Sequence, residues 1–374
     1  MYSRHKTWLF FGVIVALALF SHAIPGKRGE AGEPAIQRSG PFYPIPYHPP
    51  PREMTLCGTR VPLDDPEVME RFDREFTIVV YSHAQVYLWL KRMERYFPWI
   101  ENQLKKHGLP QDLKFLAVAE SDLLHRAVSP AGAVGPWQFI SGTGTRYGLE
   151  QSRGIDQRYD FYQATESAFS YLKDLHAMFD DWILAMAAYN CGENRVRAEL
   201  ARQRVSDYYS LRLPLETERY IFRILAIKEV LTHPEKYGYS LPRGSGYTPL
   251  PETETVFISL PHDLPVQVVA EVAGMTYRQF KGMNPSFIST VVPRGSHQVR
   301  LHLGRGKLFV ETIDSIKNDF KPLRIEHRVS RGETLSGIAA RYGVRVGDIR
   351  SWNDLQGDVI VVGQTLVIHK IPQS

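Results

Sequence analysis

The first residue whose type and spacing could do chemistry is Glu120. Leu113, Leu116, Ala117, Glu120 and Leu124 recur at i, i+3, i+4, i+7 and i+11, which predicts one helix face with a carboxylate set among apolar neighbours. The stretch Leu109-Pro110-Gln111-Asp112 carries the proline and the acidic first turn of a helix start. Burial penalises the charged form, so such a carboxyl titrates closer to neutrality and can serve as a general acid. The bland reading, a Glu paired with an Arg or capping the next loop, is the more common one from periodicity alone. Asp122 lies roughly 200° around the helix and Asp112 about 12 Å back along its axis, so neither is an obvious second carboxylate for Glu120.

Two further segments sharpen the chemistry. Ser129-Pro130-Ala131-Gly132-Ala133-Val134-Gly135-Pro136-Trp137-Gln138-Phe139 is a tight turn of small residues that lets a bulky ligand approach the backbone. Trp137 adds packing surface and Gln138 an amide for hydroxyl or acetamido groups. Ala188-Tyr189-Asn190-Cys191-Gly192 ends an apolar helix with a phenol and an amide before a glycine stop. Together with Thr143, Tyr147-Gly148-Leu149 and Leu213-Pro214-x-Glu216-Thr217-x-x-Tyr220, these segments resemble the soluble lytic murein transglycosylase family over about residues 95–235.

The resemblance implies a lysozyme-like helical fold acting on peptidoglycan glycan strands without a cofactor. Glu120 would protonate the β-1,4 glycosidic oxygen between N-acetylmuramic acid and N-acetylglucosamine. As a base it would then help the C6 hydroxyl attack C1, leaving a 1,6-anhydro end. Tyr189 would orient Glu120 by a hydrogen bond, while Ser129, Gly132, Gln138 and Asn190 would hold the substrate. Ile140 stands where the family commonly has Met, Cys191 where Ser or Ala is usual, and the family's lipid-accepting cysteine has no counterpart. Two rivals remain at this level. One is a goose-type lysozyme-like hydrolase, for which Asp156 or Asp160 would supply the second carboxylate. The other is a non-catalytic wall-binding protein.

Behind these residues stand the elements that must position them. Val86, Leu90, Met93, Phe97 and Ile100, then Ala168, Leu172, Leu175 and Phe179, then Ile221, Ile224, Leu225, Lys228 and Leu231 trace helical stripes, predicting an all-helical domain over 57–240. After a Pro/Gly hinge, Val269, Gly274, Phe280 and Asn284 align with Ile338, Gly343, Ile349 and Asn353 at a constant offset of 69 residues (338 − 269). Flanking strand candidates make each copy a small βααβ module, the first over 252–311 and the second over 325–370. The second resembles LysM through Gly332-Glu333-Thr334-Leu335, Tyr342-Gly343-Val344, Trp352-Asn353 and Gly363-Gln364-Thr365-Leu366. That resemblance implies glycan contacts at Gly332, Glu333, Thr334 and Leu335 on one side and Asn353, Asp354 and Leu355 on the other. The first copy lacks the Gly-Glu-Thr-Leu loop and is expected to be structural. The expected fold class is therefore mostly α: a lysozyme-like helical catalytic domain followed by small βααβ LysM-like modules of α+β type.

Composition bounds the rest. The 374 residues are 43% apolar and 23% charged, with a net charge of +5, which excludes wholesale disorder and argues against nucleic acid as partner. Arg4 and Lys6 precede an apolar run from Trp8 to Phe20 and then Ser21-His22-Ala23, the order of an export signal or anchor over 1–23. This predicts export to the periplasm or cell envelope, with membrane association through the N-terminus. Residues 24–56 read as a Pro/Gly-rich linker. Thirteen histidines are scattered without paired helical spacing, and the cysteines are only Cys57 and Cys191, so no metal site is expected.

Overall fold

A computed structural model describes residues 46–152, 154–318 and 323–370. The segment read as an export signal and the Pro/Gly-rich stretch up to residue 45 lie outside the described residues. A two-residue hairpin, β1 (Thr55–Leu56) and β2 (Thr59–Arg60), leads into helix α1 (Pro66–Val80). Asp65 caps α1 by accepting from the amides of Glu67 and Val68, and Pro66 supplies the preset first turn. Helix α2 (His83–Lys106) follows, its Val86, Phe97 and Ile100 buried as their spacing requires. A 3₁₀ turn at Gln111–Leu113 opens α3 (Lys114–Ser121), the helix that carries Glu120.

Helix α3 is shorter than the apolar stripe predicts. It stops at Ser121 because Asp122 and Leu123 both take left-handed conformations, and Leu124 is exposed instead of lining the buried face. The stop is fixed from a distance. Trp89 of α2 donates its indole N–H to the Asp122 carboxylate at 2.7 Å, and Arg92 donates to the Asp122 carbonyl at 3.2 Å. Glu120 therefore sits in the last turn of α3, beside the loop that leaves it.

Downstream come α4 (Ser141–Arg146), the strand pair β3 (Gln151–Ser152) and β4 (Ile155–Asp156), α5 (Phe161–Phe179), α6 (Trp182–Cys191), α7 (Glu193–Gln203) and α8 (Leu215–Thr232). Asp160 and Asp181 cap α5 and α6 through their side chains. Helix α8 is the central post. It packs on α1, α3 and α6, and Tyr220, Ile221, Ile224, Leu225 and Leu231 are buried along it. Lys228 shares that stripe yet reaches Asp112 at 2.8 Å, which in turn accepts the Cys57 amide at 2.7 Å, tying α8 to the start of α3 and to the hairpin. Both cysteines are free thiols.

The rest of the chain is two small modules. In the first, β5 (Thr253–Leu260) pairs antiparallel with β8 (Gly295–His302), around β6 (Leu264–Pro265), α9 (Val266–Val272), α10 (Tyr277–Met283) and β7 (Val291–Val292). Helix α11 (Gly306–Ile316) follows and packs against β5. In the second, β9 (Leu323–Arg328) pairs with β10 (Thr365–Lys370) around α12 (Leu335–Tyr342) and α13 (Val346–Trp352). The first module is stitched to the helical domain by a β-bridge between Ile155 and Phe287, with the Asp156 amide donating to Ser286 at 2.8 Å. The second leans on the first through Asp348, which accepts from the hydroxyls of Ser289 at 2.9 Å and Thr290 at 3.1 Å.

Candidate active site

Glu120 lies in a cleft of about 580 Å³ walled by the 129–143 segment, by Tyr171, Tyr189 and Asn190, and by Glu193, Glu216, Tyr220 and Arg223. Burial pushes its carboxyl up to about 7, and the nearby charge of Glu216 adds to the rise. The Tyr220 hydroxyl donates to Glu120 Oε1 and, with Arg223, works in the opposite sense. A carboxyl balanced near neutrality can donate a proton and take one back within a single cycle. A larger cavity of about 790 Å³ lies between α2, α5 and the first module, lined by Arg95, Trp99, Tyr162, Glu166 and Arg300 and not by Glu120.

The loop facing Glu120 is held from four sides. Ser121 donates to the Pro136 carbonyl at 2.7 Å, and the buried Trp137 indole donates to Thr165 of α5 at 2.8 Å. Arg158, locked by Asp156 at 2.7 Å, donates to the carbonyls of Gly132 at 3.2 Å and Phe139 at 3.1 Å. Tyr189 donates to the Trp137 carbonyl at 2.8 Å. Gly135 has a positive φ, and a Cβ there would collide with the Arg158 carbonyl, so glycine is required. These contacts fix a loop that carries no regular secondary structure of its own.

The residues read from sequence as one site do converge here: Glu120, Ser129, Gln138, Tyr189 and Asn190 all line the cleft. Gly132 is part of the same loop and turns it with a positive φ. Ser129 uses its hydroxyl to accept the Ala133 amide at 3.0 Å. Gln138 donates its amide to the Gly135 carbonyl at 2.8 Å, which leaves its side-chain oxygen as an acceptor on the cleft wall. Asn190 accepts from Thr217 at 2.7 Å. The expected hydrogen bond from Tyr189 to Glu120 is not formed, because the phenol is taken by the Trp137 backbone. The phenol on Glu120 belongs to Tyr220, a residue of the sequence motif that was given no site role. Its signal is a phenol buried along α8 beside Ile221, Ile224 and Leu225, whose hydroxyl has to find a partner.

The carboxylates named for a two-acid mechanism are engaged elsewhere. Asp156 pairs with Arg158 and Asp160 caps α5, and neither lines the cleft. Glu193, which does line it, is held by Arg146 at 2.9 Å and by the Tyr171 hydroxyl at 3.0 Å. Glu216 is the remaining acid on the wall, exposed at the start of α8.

In the second module several residues expected to touch glycan serve the module's own structure. Leu335 is core, and Glu333 accepts from the Ser330 amide and pairs with His327, both at 2.8 Å. Thr334 caps α12. Asn353 donates to the carbonyls of Ile349 and Val367 and accepts the Val367 amide at 2.7 Å, stapling α13 to β10. Asn284 makes the same set in the first module, to Phe280 and Arg300. Gly332 and Asp354 are exposed, both with positive φ, and Leu355 is half-buried.

Two family models match the chain in the order of its helical domain and second module. The Transglycosylase SLT domain model matches residues 97–211, and the LysM domain model matches 327–369. Membrane-bound lytic murein transglycosylase D of Escherichia coli (strain K12) is 35% identical over 295 residues, 74% of this chain and 64% of that protein. The chain thus spans just under two thirds of that relative's length. The autolysin of Enterococcus faecalis is 52% identical over 44 residues, 12% of this chain and 6% of that one. The crystal structure of the 70 kDa soluble lytic transglycosylase from Escherichia coli aligns with a TM-score of 0.34 at 24% identity, over 45% of this chain and 30% of that one. The chain therefore carries a transglycosylase SLT domain followed by a C-terminal LysM domain, and over most of its length it is similar to membrane-bound lytic murein transglycosylase D.

Proposed function

We propose that the protein is a peptidoglycan lytic transglycosylase of the cell envelope. The observation that carries this reading is a single carboxyl, Glu120, raised to about 7 in an open cleft and held by the Tyr220 hydroxyl. In its protonated form it donates to the glycosidic oxygen between N-acetylmuramic acid and N-acetylglucosamine. The muramyl acetamido group stabilises the developing cation. The carboxylate then accepts the C6 hydroxyl proton as that oxygen closes on C1, giving a 1,6-anhydro end and consuming no water. Tyr220 and Arg223 lower the cost of the carboxylate stage, while burial and Glu216 favour the acid stage. Gln138 and the Ser129 loop position the sugar, and the LysM module holds the strand at its exposed Gly332 and Asp354 turns.

The second reading is hydrolysis of the same bond with Glu216 activating a water, favoured by its place on the cleft wall. Mass analysis of digested murein separates the two. Fragments one water lighter than hydrolysis products, lost in Glu120→Gln, are expected; reducing ends would replace the first reading by the second. A Glu120→Gln enzyme keeping a tenth of the activity would remove Glu120 from the role of acid.

A further inference from the structure

Away from the cleft, the loop after α3, helix α10 of the first module and the turn before α13 enclose a cavity of about 570 Å³. Its walls carry Arg126, Arg278, Lys281 and Arg345, beside Tyr159 and Tyr277, and no acidic side chain lines it. Arg126, Arg278 and Arg345 have no ion-pair partner among the described residues. Lys281 donates to the carbonyls of Phe287 and Ser289, so it stays at the cavity wall. Its ammonium is held down to about 8, by burial first and then by the charges of Arg345 and Arg126, which places all three cations within electrostatic reach of one another. Asp348 offsets part of this charge from outside the cavity lining, its carboxylate accepting from the hydroxyls of Ser289 and Thr290.

Cations gathered around a concave space repel one another until an anion enters it. Guanidinium groups pair bidentately with carboxylates, and the tyrosine rings with Pro285, Phe287 and Ile288 offer apolar surface between the charges. The volume falls in the range that encloses a discrete small ligand rather than a flat lipid surface. We propose that this cavity binds a multiply carboxylated peptide, namely the acidic peptide stem of a peptidoglycan strand, at a site separate from the Glu120 cleft. The proposal rests on the peptidoglycan reading for the identity of the peptide. It also gives the first module, which lacks the glycan loop of the second, a binding role of its own.

The test is calorimetric titration of the full chain, at low salt, with the tripeptide alanyl-γ-glutamyl-diaminopimelate and with its fully amidated counterpart. Saturable binding of the acidic peptide, at least tenfold weaker in Arg126→Gln/Arg278→Gln and absent with the amidated peptide, is the expected result. Both arginines are exposed, so the double variant should fold, and Arg278→Glu alone should weaken binding further than Arg278→Gln. Equal binding of the amidated peptide, or an unaffected double variant, would overturn the proposal. So would binding to phosphatidylglycerol vesicles in place of the peptide. The readout needs no glycan cleavage: a chain that cuts murein but ignores the peptide sinks this proposal alone. One that binds the peptide but cuts nothing sinks the catalytic reading alone.

Discussion

Removing the Tyr220 hydroxyl isolates what that contact does to the acid. In Tyr220→Phe the buried ring is kept and the hydrogen bond to Glu120 is lost. A hydrogen bond to a charged group is worth about 1.5–3 kcal/mol, and about 1.4 kcal/mol corresponds to one pKa unit. The Glu120 carboxyl, already raised to about 7, should therefore climb by a further one to two units. The sign is fixed by the form the phenol favours: it donates to the carboxylate, so its loss disfavours that state. In the proposed mechanism the first step needs the protonated acid, so the alkaline limb of kcat/KM should move upward by that amount. The plateau should fall about 10- to 100-fold through lost positioning and a costlier base form. Solubilisation of murein sacculi between pH 4 and 9 gives both quantities. Tyr189→Phe is the control, since its hydroxyl is spent on the Trp137 carbonyl: the plateau should drop as the loop loosens, with the limb in place. An unmoved limb in Tyr220→Phe, or an equal shift in Tyr189→Phe, would refute the assignment.

The other expectations are more local. Glu120 holds a proton in the folded chain that an ordinary carboxyl, near 4.5, has released, so its contribution to stability declines as pH rises from about 4.5 to 7. Glu120→Gln should then be more stable than the parent at pH 8, by up to about 3 kcal/mol, and indistinguishable at pH 4; thermal unfolding at the two pH values checks this. Gly135→Ala, strained by its positive φ and blocked by the Arg158 carbonyl, should cost roughly 2–4 kcal/mol and most of the activity, read by denaturant unfolding and sacculus turnover. Asn353→Ala should cost about 2–3 kcal/mol by opening the α13–β10 staple; hydrogen exchange should quicken across β10, and a protected module that has nonetheless lost glycan binding would count against the staple. Deleting residues from Arg324 onward should reduce co-sedimentation with sacculi while sparing turnover of small soluble muropeptides, because the LysM module raises local concentration without touching the cleft.

What could be read in the sequence follows from how local each cause is. The stripes of α2, α5 and α8 are written in residues three and four apart: most of their positions are buried, Leu90, Met93 and Phe179 are half-buried at the rim of the core, and Lys228 is the polar exception that finds Asp112. The end of α3 could not be read in the same way. Asp122 turns left-handed because Trp89 and Arg92, on another helix, hold its carboxylate and carbonyl. That the phenol on Glu120 is Tyr220 and not Tyr189 has a related cause. Tyr189 and Tyr220 are both buried hydroxyls facing the same region, and what separates them is a backbone carbonyl at Trp137, an acceptor every residue carries and no sequence marks. The LysM asparagine, by contrast, was decidable from the chain alone. Asn284 occupies its position in a copy without the Gly-Glu-Thr-Leu loop, so an asparagine kept where the glycan loop is missing argues for a structural duty in both. The hydrogen bonds from each amide to the neighbouring helix end and strand are that duty.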